Sequence, residues 1–133
     1  AGRRVVLETS GTRGAAVALA EVPAGVRRVV DVKTPGSGLA ADPAEVIDWE
    51  GLQALGPGDE LKFVCVDRAD YVWARDLIRE GGRLPAGPCR TFSPGHGLLP
   101  ARELAEWLLA DGLEARLQVQ LHRLLWPDRE RGT

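Results

Sequence analysis

Val29-Val30-Asp31-Val32-Lys33-Thr34-Pro35-Gly36-Ser37-Gly38 decides the fold. An apolar β-branched run passes into a charged pair and then into a Pro/Gly/Ser loop. A buried parallel strand reads this way where it ends at a binding edge, because ligands of parallel α/β sheets collect beyond the carboxyl ends of the strands. The loop is therefore expected on the rim of any site. From its residues alone it is equally a turn that ends a strand, since Lys33-Thr34-Pro35-Gly36-Ser37-Gly38 matches neither Gly-rich phosphate-loop pattern.

The same device recurs on both sides of it. Arg4 to Thr9 reads as a first strand ending in Glu8-Thr9-Ser10-Gly11-Thr12, and Ala15 to Val22 as a short helix stopped by Pro23 and Gly25. Asp42-Pro43 has the N-cap and first-turn residues of a helix carrying Val46, Trp49 and Leu52. Asp59 to Val66 is a third strand, with Leu61, Phe63 and Cys65 on one face and Lys62, Val64 and Val66 on the other. Asp67 caps a helix whose buried stripe is Tyr71, Ala74, Leu77 and Ile78, with Asp67 and Asp70 at capping-box spacing. Cys89 to Phe92 is a short fourth strand running into Ser93-Pro94-Gly95-His96-Gly97. Pro100 opens a helix with Leu104, Trp107, Leu108 and Leu109 inward, and Leu113 to Leu121 alternates as an edge strand. Leu124-Leu125-Trp126 is read as an anchor for the tail, and the Trp residues as core.

Strands alternating with helices predict one α/β domain over 1–133 with a largely parallel sheet and right-handed crossovers. All the polar strand ends then share one edge of the sheet. The composition suits a globular chain, with 44% hydrophobic and 27% charged residues. Its 17 basic and 19 acidic residues are scattered, which disfavours nucleic acid, and no run is long enough to span a membrane. Cys65 and Cys89 stand far apart without CxxC spacing, which reads as buried thiols in a reducing cytosol rather than a disulfide or zinc site. No histidine pattern suggests an intrinsic metal site; His96 lies in a loop where backbone approaches a ligand, and His122 beside the leucine anchor. Glu8 and Asp31, at successive strand ends, suit acid–base work or pairing with Lys33 or Lys62.

Five segments carry more than their chemistry: Leu7 to Thr12, Val30 to Gly38, Asp59 to Val64, Phe92 to Gly97 and Arg116 to Arg123. In this order they resemble the C-terminal part of the 7-carboxy-7-deazaguanine synthases, a family of radical S-adenosylmethionine enzymes. The resemblance implies a partial, TIM-like parallel barrel, here lacking its first strands, with a site at the strands' carboxyl ends. It implies a lyase that turns 6-carboxy-5,6,7,8-tetrahydropterin into 7-carboxy-7-deazaguanine with loss of ammonia, on the route to queuosine and other 7-deazapurines. The cofactors implied are S-adenosylmethionine, a 4Fe–4S cluster and Mg²⁺. A cytoplasmic homodimer and a flavodoxin-type electron donor go with them.

By position, the resemblance assigns Asp31, Val32 and Lys33, and Ser93, Pro94, Gly95 and His96, to S-adenosylmethionine. It assigns His122 and the terminal Thr133 to the pterin, and sets Glu8 to Gly11 along the pocket. The family's CxxxCxxC loop and GGEP-type segment have no counterpart in these residues. The chain is therefore expected to need an N-terminal part carrying the cluster and to be inactive without it. Two other readings go with the same residues: a non-catalytic module that keeps a purine- or pterin-sized pocket, and another radical enzyme of the superfamily, such as an activating enzyme.

Overall fold

The computed structural model describes residues 4–14, 19–38, 42–120 and 125–126. Five strands form one open sheet: β1 (Val5–Ser10), β2 (Val26–Asp31), β3 (Glu60–Cys65), β4 (Cys89–Pro94) and β5 (Arg116–Leu117). They lie side by side in chain order, and every pairing is parallel. Parallel strands in sequential order with right-handed crossovers send every connection over the same face. One face of the sheet is then covered by helices and the other is not.

The core follows that division. Val30, Leu61, Phe63, Cys65 and Phe92 point from the three central strands into a buried cluster with Tyr71, Ala74, Leu77, Leu104 and Leu108. Phe63 and Phe92 stack with ring centroids 5.3 Å apart, and Tyr71 tilts against Phe92 at 5.6 Å. Truncating such a fully buried ring costs about 3–5 kcal/mol. The alternate residues Lys62 and Val64 are half-buried on the helix-free face.

α3 (Arg68–Glu80) begins where Asp67 accepts the Asp70 amide at 3.0 Å. Tyr71, Ala74 and Leu77 of its expected stripe are buried and Ile78 packs against the cluster. Asp70 does not complete a capping box. Its carboxylate, 1% exposed, turns instead to the loops at the strand ends. α4 (Ala101–Asp111) buries Leu104 and Leu108, with Trp107 partly covered, but Leu109 is 81% exposed and belongs to the solvent face.

Further expectations are corrected. The helix from Asp42 is two single turns, α1 (Pro43–Val46) and α2 (Trp49–Leu52), separated by extended Ile47. Ile47 is fully buried and bridges Thr12, with Asp48 N–H donating to Gly11 O at 2.8 Å. Burying Ile47 costs the chain its helical continuity, and the Asp48 side chain caps the next turn from the Gly51 amide. In the segment Leu113 to Leu121, two residues pair with β4, and Leu117 and Val119 remain more than one-third exposed. Of the expected tail anchor, Leu125 and Trp126 are about half exposed, and Leu124 lies outside the described residues. Within the expected helix Ala15 to Val22, residues Leu19–Glu21 form a 3₁₀ turn and 15–18 lie outside the described residues. No helix among the described residues is long and apolar enough to cross a membrane.

Candidate functional site at the carboxyl edge

Because all five strands run the same way, their polar ends share one edge. At the end of β2 the chain leaves the sheet at Asp31. The Val32 N–H still donates to Lys62 O at 2.8 Å, and Lys33 Nζ meets Asp31 Oδ2 at 2.7 Å. Val32 is fully buried in the core cluster and, unlike Asp31 and Lys33, lines none of the hollows at this edge. The 3₁₀ turn Pro35–Ser37 follows, fastened at three points. Thr34 Oγ1 donates to Val64 O at 3.0 Å, Ser37 Oγ donates to Thr34 O at 2.6 Å, and the Gly36 amide donates to Asp70 Oδ1 at 2.7 Å. The second Asp70 oxygen accepts the Val66 amide at 2.9 Å. A Cβ on residue 36 would lie 2.6 Å from Asp70 Oδ2 and 2.5 Å from Val66 Cγ2, so this close approach requires glycine.

The loop after β4 is built against the same strand end. The Gly95 amide donates to Cys65 O at 2.7 Å, and a Cβ there would meet Val66 Cγ1 at 2.8 Å. Ser93 is buried, Pro94 half-buried and His96 exposed. Ser93, Pro94, Gly95 and His96 all line a cavity of about 350 Å³, with Lys62 and Val64 as its floor. Asp31 and Lys33 line two neighbouring hollows, of about 270 Å³ beside Thr34, Gly36 and Val64 and of about 340 Å³ beside Glu8, Ser10 and Lys62. The shared walls Lys62 and Val64 make the two sequence-predicted clusters neighbours on β3. Glu8 belongs to this rim as well. His122 and Thr133 lie outside the described residues.

Sequence reading put Thr34 on the rim with its loop and named Lys62 only as a partner for Glu8 or Asp31; it did not single out Asp70 as a rim residue. The signal for Lys62 is its place in the strand alternation, opposite buried Leu61 and Phe63. Nothing local marks Asp70, whose partners lie 34 and four residues away.

A larger cavity, about 770 Å³, opens at the other end of the strands among Arg4, Arg27, Arg90 and Arg116. It lies at the amino edge, where parallel sheets do not usually hold ligands. Two of its arginines have protein partners: Arg27 pairs with Glu60 at 2.7 Å, and Arg90 donates to the carbonyls of Pro85 and Ala86.

The thiols do not suit a metal centre. Cys65 is fully buried on the helix face, and burial, with Asp70 and Asp67 nearby, pushes its thiol up to about 12. Cys89 pairs with Glu60 at the opposite end of the strands, five residues along, a separation of roughly 16 Å. No group of three metal-ligating side chains occurs among the described residues.

No protein-family model matches the chain, and no solved structure does. Curated proteins do. A 7-carboxy-7-deazaguanine synthase of Koribacter versatilis is 38% identical, across 98% of this chain and 60% of its own length. Its counterpart in Chlorobaculum tepidum is 36% identical, across 96% of this chain and 56% of its own length. That of Methanospirillum hungatei is 30% identical, across 94% of this chain. The chain is a relative of the 7-carboxy-7-deazaguanine synthases. It spans about half the length of these synthases, 47–60%, which is consistent with a C-terminal portion.

Proposed function

We propose that the chain is the C-terminal portion of a radical S-adenosylmethionine enzyme of the 7-carboxy-7-deazaguanine synthase type. The reaction is the conversion of 6-carboxy-5,6,7,8-tetrahydropterin to 7-carboxy-7-deazaguanine, a carbon–nitrogen lyase step that releases ammonia, in queuosine and 7-deazapurine biosynthesis. The observation that carries the reading is the identity to named synthases along nearly the whole chain. The rim supports it: the polar strand ends gather at one edge, above a face left clear of helices. In this reading the sheet is one side of a partial barrel, and that face is its interior.

The residues present fit some of the family's groups and not others. Asp31 and Lys33, paired with each other at 2.7 Å, set a carboxylate and an ammonium on the rim, and the Thr34 and Ser37 hydroxyls, whose protons go to Val64 O and Thr34 O, brace the turn beside them; the charged pair is what suits the amino-acid part of S-adenosylmethionine. Bound there, S-adenosylmethionine would supply its sulfonium-activated adenosyl group; the chain's own part is to bind and orient it. The cluster does not fit: two cysteines at opposite ends of the strands cannot provide three thiolates. Mg²⁺ likewise finds no ligand set among the described residues. No radical step is therefore assigned to this chain, which acts as the binding side of a site completed by an N-terminal part. His122 and Thr133 are proposed to reach the pterin, and a cytoplasmic homodimer reduced by a flavodoxin-type donor completes the proposal.

The missing thiolates favour one second reading, a non-catalytic module that keeps the pocket. The complete gene product, reconstituted anaerobically with iron and sulfide, separates the two. The enzyme reading predicts a deazaguanine acid by mass spectrometry from the carboxylated pterin. Pterin binding without any turnover would establish the module instead.

A further inference from the structure

Lys62 and Thr91 are register partners on the helix-free face, and each lacks a partner of the kind its chemistry requires. Lys62 sits on β3 between Asp31 of β2 and Thr91 of β4. Phe92, next to Thr91, stacks in the core, so strand alternation turns Thr91 to the face that carries Lys62. Thr91 is 2% exposed and its hydroxyl has no hydrogen-bond partner; it lies beside Lys62 in register rather than in the lining of the cavity of about 350 Å³. Most buried hydroxyls in native proteins are paired, so an orphan of this kind calls for a partner. Lys62 has no ion-pair partner among the described residues, whereas the other rim lysine, Lys33, is spent on Asp31 at 2.7 Å.

The charge of the cavity completes the argument. Of its described lining, Lys62 and His96 are the basic groups, Ser93 adds a hydroxyl, and no carboxylate takes part. Glu8 and Asp31 line the neighbouring hollow, of which Lys62 is also a wall, but neither carboxylate forms an ion pair with it. One ammonium with hydroxyls on the same face suits a singly charged, hydrogen-bond-accepting group better than a phosphate dianion, which typically draws arginine or a helix N-terminus.

We propose that Lys62, with Thr91 beside it, holds the carboxylate of a ligand seated on the helix-free face of the sheet. The inference rests on the function proposed above, in which two ligands carry that chemistry: the carboxylated pterin and the amino-acid part of S-adenosylmethionine.

Calorimetric titration of the complete gene product with four probes tests it. They are 6-carboxytetrahydropterin and the tetrahydropterin lacking that carboxylate, and S-adenosylmethionine and methylthioadenosine, which lacks the amino-acid part. Lys62→Met is expected to weaken one carboxylated member by about 20-fold or more and to change its carboxylate-free counterpart less than about 2-fold. The pair that responds identifies the source. Thr91→Val should weaken the same ligand by about 5-fold, and Lys62→Arg should recover most of the loss. Equal effects on both members of each pair, or none on any, with wild-type binding intact, would overturn the carboxylate site and leave the family reading standing. A wild-type protein that binds none of the four overturns both. Thermal melts of each variant separate lost binding from lost folding.

Discussion

Asp70 shows how a single side chain sets the rim. Its two oxygens accept amides from Gly36 and Val66, so it ties the loop after β2 to the end of β3. Asn in its place can offer one acceptor and turns an N–H₂ toward the other amide. Asp70→Asn should therefore destabilise the protein by about 1–3 kcal/mol and loosen the 34–37 turn. Urea unfolding checks the first effect and amide exchange at Gly36 the second; an unchanged midpoint with Gly36 still protected contradicts the role. Asp31 and Lys33 were legible in the sequence because a polar pair after an apolar run marks a strand end. Asp70 was not legible, since its capping-box spacing points to a local role and its actual partners come from a different loop. Lys62 was visible as the polar side of an alternating strand, but its freedom from ion pairing depends on Lys33 having taken Asp31.

At the scale of elements, α3 and α4 are clasped by a polar cluster at the margin of the core. The Tyr71 hydroxyl donates to Asp111 Oδ2 at 2.5 Å, Arg75 reaches the same oxygen at 3.2 Å, and Arg68 lies 4.9 Å from the Trp107 ring centroid. The Tyr71 hydrogen bond, followed by Arg75 and Arg79, outweighs desolvation and holds the Asp111 carboxyl below its ordinary 3.8. Burial and the Asp111 hydrogen bond raise the Tyr71 hydroxyl above its ordinary 10.0. A carboxyl lowered on folding stabilises fully above its unfolded pKa and loses that stabilisation as pH falls through the folded value. A phenol raised on folding loses its stabilisation as pH rises through 10.0 and beyond. Urea midpoints of wild type and Asp111→Asn should therefore differ at pH 6, and the gap should close only as pH falls below 3.8 and on through the lower folded value. A constant gap over that range would contradict the clasp.

The helices at α3 and α4 were legible from their caps and 3.6-residue stripes. The break at Ile47 was not, because Val46, Trp49 and Leu52 keep helical spacing across it. What overrides the pattern is the long-range bridge to Thr12. β5 was read as too long for a related reason: its alternation is real, but β4 offers pairing to two of its residues among those described.

Over the whole molecule, sequential parallel order is the property that matters most. It puts the helices and core on one face and frees the other, and it gathers the strand ends at one edge. It also leaves β1 at an edge with Val5 and Val6 at least half exposed, as a strand awaiting a neighbour would be. The alternation of strands and helices made the parallel sheet legible, and the rim followed from it. The five described strands form an open sheet rather than a closed barrel.

The central claim is that ligand binds at the carboxyl edge, around β2, β3 and β4, and not in the larger arginine-lined cavity at the amino edge. Hydrogen–deuterium exchange of the complete gene product, with and without S-adenosylmethionine, tests it most directly. The account predicts slower exchange of the amides of 33–38 and 95–98 on binding, with the amides around Arg27, Gly58 and Arg90 unchanged. Protection confined to Arg27, Gly58 and Arg90, with the carboxyl-edge loops unaffected, would contradict it.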